Sequence, residues 1–302
     1  MEAITIVYTG SGDRIDKFLV PHLDEYTRTQ IQGMIKNNEI LVNEDSVKAN
    51  YILKEGDQIN ILPNEPIDST ILPENIPLNI VYEDADLLVV NKPSGMVVHP
   101  APGNYTGTLV NALLYHCQDL SGINGVIRAG IVHRIDKDTS GLLVVCKNDY
   151  THKKLSLQFA NKEVSRKYYA ICSGVIMHNQ GKINAPIGRD HINRQQMAIV
   201  ENGKNAITNF TVIERFKNHT FIECVLETGR THQIRVHMKY IGFPITGDPV
   251  YGYKHEIVPT GQYLHAKTLG FMHPRLEKYM EFDSPLPDYF QDYLNTLSKE
   301  EK

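Results

Sequence analysis

The sequence predicts an α+β protein with a small N-terminal domain over residues 1–62, a linker over 63–79 and a larger domain over 80–302. Three observations support this. Short apolar runs such as L-L-V-V at 87–90, repeated at 142–145, alternate with segments whose apolar residues recur at helical spacing. Residues 63–79 contain four prolines, which disfavour a regular packed element. A chain of 302 residues, 41% hydrophobic and 22% charged, can fill one small core and one larger one.

Composition narrows the function classes. No charged start precedes an apolar run and no apolar stretch approaches a membrane span, so a cytosolic protein is expected. Cys117, Cys146, Cys172 and Cys224 are far apart and form no C-x-x-C pair, so neither disulfides nor a zinc site are expected. The net charge of -4 conceals a strong asymmetry. Residues 1–75 carry 6 Lys+Arg against 13 Asp+Glu, a net of -7, whereas residues 128–239 carry 18 against 9, a net of +9. Polyanion binding depends on local potential, and the positive charge is concentrated in the middle of the chain.

In the first domain, Asp13 is placed to cap a helix presenting Ile15, Phe18 and Leu19. Thr27 or Thr29 can open a second helix containing Ile31, Met34 and Ile35. Short strands follow, with Gly56 and Asp57 as a turn and Asn38 able to take a left-handed conformation. Arg14, Asp16 and Leu19, then Arg28 and Ile35, Val42 and Asn43, and finally Leu53, Lys54, Gly56, Asp57 and Ile59 form a pattern that resembles the S4-type RNA-binding domain. The resemblance implies RNA contact through a face including Arg14 and Arg28, with docking as the alternative role.

In the second domain, a hairpin runs from Ile80 to Val90 and leads into the turn N-K-P-S-G, which contains Lys92. Thr106 to His116 and Tyr150 to Asn161 read as helices. In the extended segment V-S-R-K-Y-Y-A-I-C, neighbouring tyrosines face opposite ways, so only one of Tyr168 and Tyr169 can line a pocket. Residues 174–205 suggest a strand pair with a basic rim that includes Arg189. Residues 206–216 and 220–226 suggest a hairpin, Thr231 is a candidate cap for a helix over T-H-Q-I-R-V-H-M, and P-D-Y-F-Q-D-Y-L suggests a final helix.

Between these elements lies I-V-H-R-I-D-K-D-T-S-G-L-L-V-V-C-K, residues 131–147. Arg134 and Asp136 are two apart, so in an extended segment they point the same way, and the guanidinium keeps the carboxylate ionised. From this pattern alone, an ion pair capping a strand is as good an explanation as a catalytic acid. Glu227, His232 and His237 lack metalloenzyme spacing, and Arg230 and Arg235 beside them disfavour a cation, so no metal is expected.

H-R-I-D-K-D-T-S-G-L resembles the catalytic motif of the pseudouridine synthases of the large-subunit ribosomal RNA group. N-K-P-S-G-M-V-V-H-P, R-K-Y-Y-A and G-R-T-H-Q-I-R-V-H resemble their other motifs. The resemblance implies a mixed, mostly antiparallel central sheet flanked by helices, and isomerisation of uridine to pseudouridine in RNA without a cofactor or metal. It also implies Asp136 as nucleophile or base, Tyr168 stacking on the base or assisting proton removal, and Arg230 as the partner of Asp136. Arg134 is then free for RNA, with Lys92, His133, Arg189 and Arg235 as RNA-binding or supporting residues. The implied partner is 23S ribosomal RNA, free or within pre-ribosomal particles, and a monomer is expected. Transfer RNA as substrate, a non-catalytic RNA-binding protein of the same fold and a histidine-assisted hydrolase are the alternatives.

Overall fold

The computed structural model describes residues 4–23, 28–61, 71–101, 104–117, 120–122, 129–194 and 196–299. The expected Thr27 cap, linker residues 63–70 and the loop around 123–125 lie outside them. The chain divides into two compact units, Met1–Thr70 and Ile71–Lys302.

The first unit contains β1 (Ile4–Val7), α1 (Ile15–Phe18), α2 (Arg28–Lys36), β2 (Ile40–Val42), β3 (Asp45–Ser46) and β4 (Gln58–Ile61). The strands form an antiparallel sheet ordered β1-β4-β2-β3. Ile15, Leu19, Ile31, Ile35 and Ile59 pack with Tyr8 as its core. Asn38 does adopt a left-handed conformation, φ +61°. Asp13 does not cap α1: its carboxylate accepts from the Tyr8 hydroxyl, and Arg14 occupies the cap position without a side-chain capping bond.

Asp16 is fully buried and accepts from Arg14, Arg28 and Gln32. Burial alone would raise its pKa, but those donors hold it far below the usual carboxylate range. Arg14 and Arg28 are therefore anchored at one edge, with side chains 39% and 45% exposed.

The second unit contains β5 (Ile80–Glu83), β6 (Leu87–Lys92), α3 (Leu109–His116), β7 (Ser140–Cys146), α4 (Asp149–Asn161), β8 (Ser165–Ser173) and β9 (Gln180–Asn184). It continues through β10 (Ile187–Arg189), β11 (Met197–Ile199), β12 (Ile207–Arg215), β13 (His219–Leu226), α5 (Gln233–Tyr240), β14 (Leu264–Met272), β15 (Tyr279–Asp283) and α6 (Asp288–Lys299). A nine-stranded sheet runs β5-β6-β7-β14-β8-β13-β12-β9, with β15 also pairing β14, and β10 and β11 form a separate ribbon. The β7–β14 pair is parallel and the other described pairs are antiparallel, so the fold is α+β with a mixed, mostly antiparallel sheet.

Both faces of the central strands are covered, which explains their unbroken apolar runs. Leu143 and Val145 join the core shared with α3 and α5, while Leu142, Val144 and Cys146 join the one beneath α4. Residues 71–79 of the expected linker belong to this unit. Ile71 and Leu78 pack on the first of those cores, and Asn111 bonds the Leu72 carbonyl and accepts from the Glu74 amide. Prolines here hold the chain extended without leaving it loose.

The β7–β14 pairing aligns Ser140 with His265 and Gly141 with Ala266. Gly141 has φ +115°, and a Cβ there would lie 2.3 Å from the Ala266 carbonyl oxygen. Gly33, on α2, has nothing within 4 Å of such an atom. Gly141→Ala is therefore expected to destabilise the second unit by about 3 kcal/mol or more, through strain and backbone clash. Gly33→Ala should stabilise the first unit by roughly 0.5–1 kcal/mol. Urea unfolding of both variants checks the opposite signs.

Candidate active site

The loop before β7, the start of β8 and the segment from β13 into α5 enclose a cleft of about 430 Å³. Asp136 lies in its wall, 17% exposed at the side chain. Its Oδ2 accepts a 2.9 Å hydrogen bond from the NH1 group of Arg235. The other side of that guanidinium grips Asp248, Nε to Oδ2 at 2.6 Å and NH2 to Oδ1 at 2.9 Å. Asp248 is also held by the amides of Val250 and Tyr251.

Burial acts to lower the Arg235 pKa, but Asp248 and Asp136 outweigh it and the net direction is up. Burial would likewise raise the Asp248 pKa, and Arg235 reverses that. Arg235 and Asp248 therefore remain charged, and removing the guanidinium from such a site typically costs about 3–5 kcal/mol.

This geometry corrects the expected pairing. Arg230 lines the cleft but is exposed, and its Nε donates to the Asn205 carbonyl. Helix geometry is the reason. Arg230 precedes α5, whereas Arg235 stands in the first turn and is only 5% exposed. Thr231 is not the cap either: His232 occupies that position with φ +57° and no side-chain capping bond. Gln233 organises the turn, accepting from the Arg230 amide and the Thr228 hydroxyl.

Tyr168 lines the cleft and is 8% exposed, and burial raises its hydroxyl pKa. Tyr169 faces the opposite side, edge-on to Phe221. Arg134 is exposed and also lines the cleft.

Lys92 does not reach outward: it is 1% exposed, and its Nζ donates to the carbonyls of Pro93, Met96 and Lys137. Burial pulls its pKa down to about 7, while Asp138 and Asp136 act in the opposite direction. Since only an ammonium has three protons to donate, the three carbonyls favour the charged form. It supports the Asp136 loop from behind. His133 also serves as support, stacking on Phe159 and accepting from the Val144 amide through Nε2. Burial, and then the charge of Arg166, takes its pKa down to about 3. Arg189 lies on β10, outside the cleft lining, and donates to the Arg194 carbonyl.

Asp248, Tyr251 and Arg166 were not singled out as functional from the sequence. Asp248 and Tyr251 lie in G-D-P-V-Y-G, where nothing local in the sequence marks the acid as the partner of Arg235. The Tyr251 ring lies 5.0 Å from the Arg235 guanidinium carbon, and its hydroxyl bonds His232 Nδ1 at 2.8 Å. Arg166 lies on β8 two residues before Tyr168 and stacks on Phe159 in the cleft wall.

Comparisons with known proteins identify the family. Residues 86–240 match the family described as RNA pseudouridylate synthase, and residues 13–59 match the S4 domain. The chain is 56% identical to the uncharacterized RNA pseudouridine synthase YlyB of Bacillus subtilis, over 98% of each chain. It is 46% identical to ribosomal large subunit pseudouridine synthase D of Zymomonas mobilis, covering 96% of this chain and 95% of that one. Human RNA pseudouridylate synthase domain containing 1 superposes with a TM-score of 0.59 at 26% identity, over 74% of this chain and 96% of that one. A catalytic-domain match spanning half the chain, together with near full-length relatives, places this protein in the RNA pseudouridylate synthase family, as an RNA pseudouridine synthase with an N-terminal S4 domain.

Proposed function

We propose that the enzyme isomerises uridines of large-subunit ribosomal RNA, the 23S molecule, with Asp136 as the reacting carboxylate. The observation that carries the assignment is the state of that side chain. Its Oδ2 is fixed by Arg235, and the side chain lines the cleft together with Tyr168. A uridine must leave its stack to reach such a recess. Asp136 then acts on its ribose, at C1′ as nucleophile or at C2′ as base, and the bond from C1′ to N1 breaks. The uracil turns and C5 bonds to C1′ as Asp136 is displaced from C1′, or as it returns the proton to C2′; the C5 proton is then lost and N1 gains one. Arg235, fixed by Asp248, orients Asp136 in a partly dry site. Tyr168 packs against the base or assists removal of the C5 proton.

The ribosomal substrate is inferred from the relatives named for the ribosomal large subunit and from the S4 domain. The net charge of +9 over residues 128–239 suits a polyanion. Arg134 and Arg230 at the cleft, Arg189 on β10, and Arg14 and Arg28 on the S4 domain are assigned to RNA. The expected setting is the cytoplasm, with a monomer acting on RNA that includes pre-ribosomal particles. Among the described residues, no helix is long and apolar enough to cross a membrane.

Asp136→Asn is expected to reduce tritium release from C5-labelled uridine in RNA by on the order of 10⁴-fold or more. Unchanged release would remove Asp136 from the mechanism. Arg235→Lys keeps one charge but loses the fork that holds both carboxylates, so kcat should fall roughly 100-fold. Arg230→Ala, by contrast, should mainly raise KM, a split visible in steady-state kinetics. Deleting residues 1–70 should raise KM for long ribosomal RNA about tenfold, leaving kcat on a minimal substrate unchanged. Pseudouridine mapping of ribosomal and transfer RNA in a strain lacking the protein tests the substrate class.

A further inference from the structure

His232 is not needed to hold Asp136, yet its geometry is closely defined. It takes φ +57°, a region costly for a residue other than glycine, and lines the cleft with Nε2 4.0 Å from Asp136 Oδ1. Its protonation follows from its neighbours. The Tyr251 hydroxyl accepts from the Met197 amide at 2.9 Å and lies 2.8 Å from His232 Nδ1. The amide uses one acceptor position, and His232 Nδ1 is the acceptor available for the Tyr251 proton. Nδ1 is then unprotonated, and neutral His232 carries its hydrogen on Nε2. Burial, the largest influence on this ring, lowers its pKa and keeps it neutral. An N–H donor therefore stands beside the open oxygen of Asp136, too far from it for a hydrogen bond.

We propose that His232, as the Nε2–H form, donates a hydrogen bond to the 2′-hydroxyl of the target uridine and so makes the site specific for ribose. The inference rests on Asp136 being the reacting carboxylate. A carbon or proton under attack lies roughly 3–3.5 Å from the attacking oxygen, which brings substituents of that carbon within reach of Nε2. Three sugar and base oxygens lie near the reacting carbons. O4′ becomes electron-poor as the glycosidic bond weakens, so a donor there opposes the reaction. The uracil O2 departs as the base turns. The 2′-oxygen stays, attached to C2′ and adjacent to C1′, and it is the group that separates RNA from DNA.

The test uses a ribosomal RNA fragment containing the mapped site, made with uridine or 2′-deoxyuridine at the target, and compares the full-length enzyme with His232→Phe, His232→Gln and Asp136→Asn. Phe and Gln bear the same backbone cost at φ +57°, but the Gln amide nitrogen can stand where Nε2 stood. His232→Phe should lower kcat/KM on the uridine substrate about tenfold, the usual effect of losing one neutral hydrogen bond, and His232→Gln should recover most of it. The wild-type enzyme should lose about the same factor on the deoxy substrate, where His232→Phe causes no further loss. The inference is overturned by equal His232→Phe losses on both substrates, by no loss on uridine, or by no recovery with Gln. A wild-type loss beyond a hundredfold on the deoxy substrate also overturns it, because the hydroxyl would then do more than accept one bond. Asp136→Asn separates the two assignments, since its activity on uridine reports on the carboxylate whatever His232 does.

Discussion

The Arg235 guanidinium is the interaction on which the rest of the site depends. A buried cation needs compensation, and Asp248 supplies it with two parallel hydrogen bonds while remaining charged itself. Asp248 is fixed by backbone amides of the 248–251 turn, so that turn cannot move without moving the arginine. The third guanidinium nitrogen is then aimed at Asp136 by construction. Tyr251, from the same turn, lies against the guanidinium and binds both His232 and the Met197 amide. One buried charge thus ties together the loop bearing Asp136, the start of α5, the 248–251 turn and the ribbon strand β11.

Support also comes from behind the cleft. Lys92 gathers three carbonyls, including that of Lys137 beside Asp136. His265 joins the Ser140 and Ser284 hydroxyls under β7. Burial takes its pKa down to about 4, which leaves a neutral ring that can bridge two hydroxyls. These are polar groups in the interior with their hydrogen bonds made, the arrangement that holds a loop in one position.

Much of this was legible in the sequence where a single physical cause acts locally. The hairpin at Ile80, the helix ending at His116, β7 and β8 all followed from apolar pattern and turn residues, although that helix starts at Leu109 behind a Thr108 cap and not at Thr106. The choice between Tyr168 and Tyr169 followed from strand alternation joined to the family motif. What failed was long-range or ambiguous by one residue. Arg230 and Arg235 are equally basic, and only the start of the helix at Gln233 decides which one turns inward. Whether Lys92 binds RNA or supports the site was open because nothing nearby in sequence announces three converging carbonyls, one of them 45 residues away. Asp13 looked like a cap because the competing Tyr8 hydroxyl belongs to a different element.

The order of strands carries a consequence for how the enzyme comes into being. β14, residues 264–272, lies between β7 and β8 in the sheet, although it is made about 90 residues after β8. Until it is inserted, β7 and β8 have no shared neighbour, and the loop bearing Asp136 and the strand bearing Tyr168 are not held in one sheet. A chain emerging from the ribosome therefore exposes two unpaired edges for a long interval and closes them late, a non-local step that slows folding. Leu264 of this strand also lines the cleft, so partial chains leaving the exit tunnel do not yet have a formed cleft.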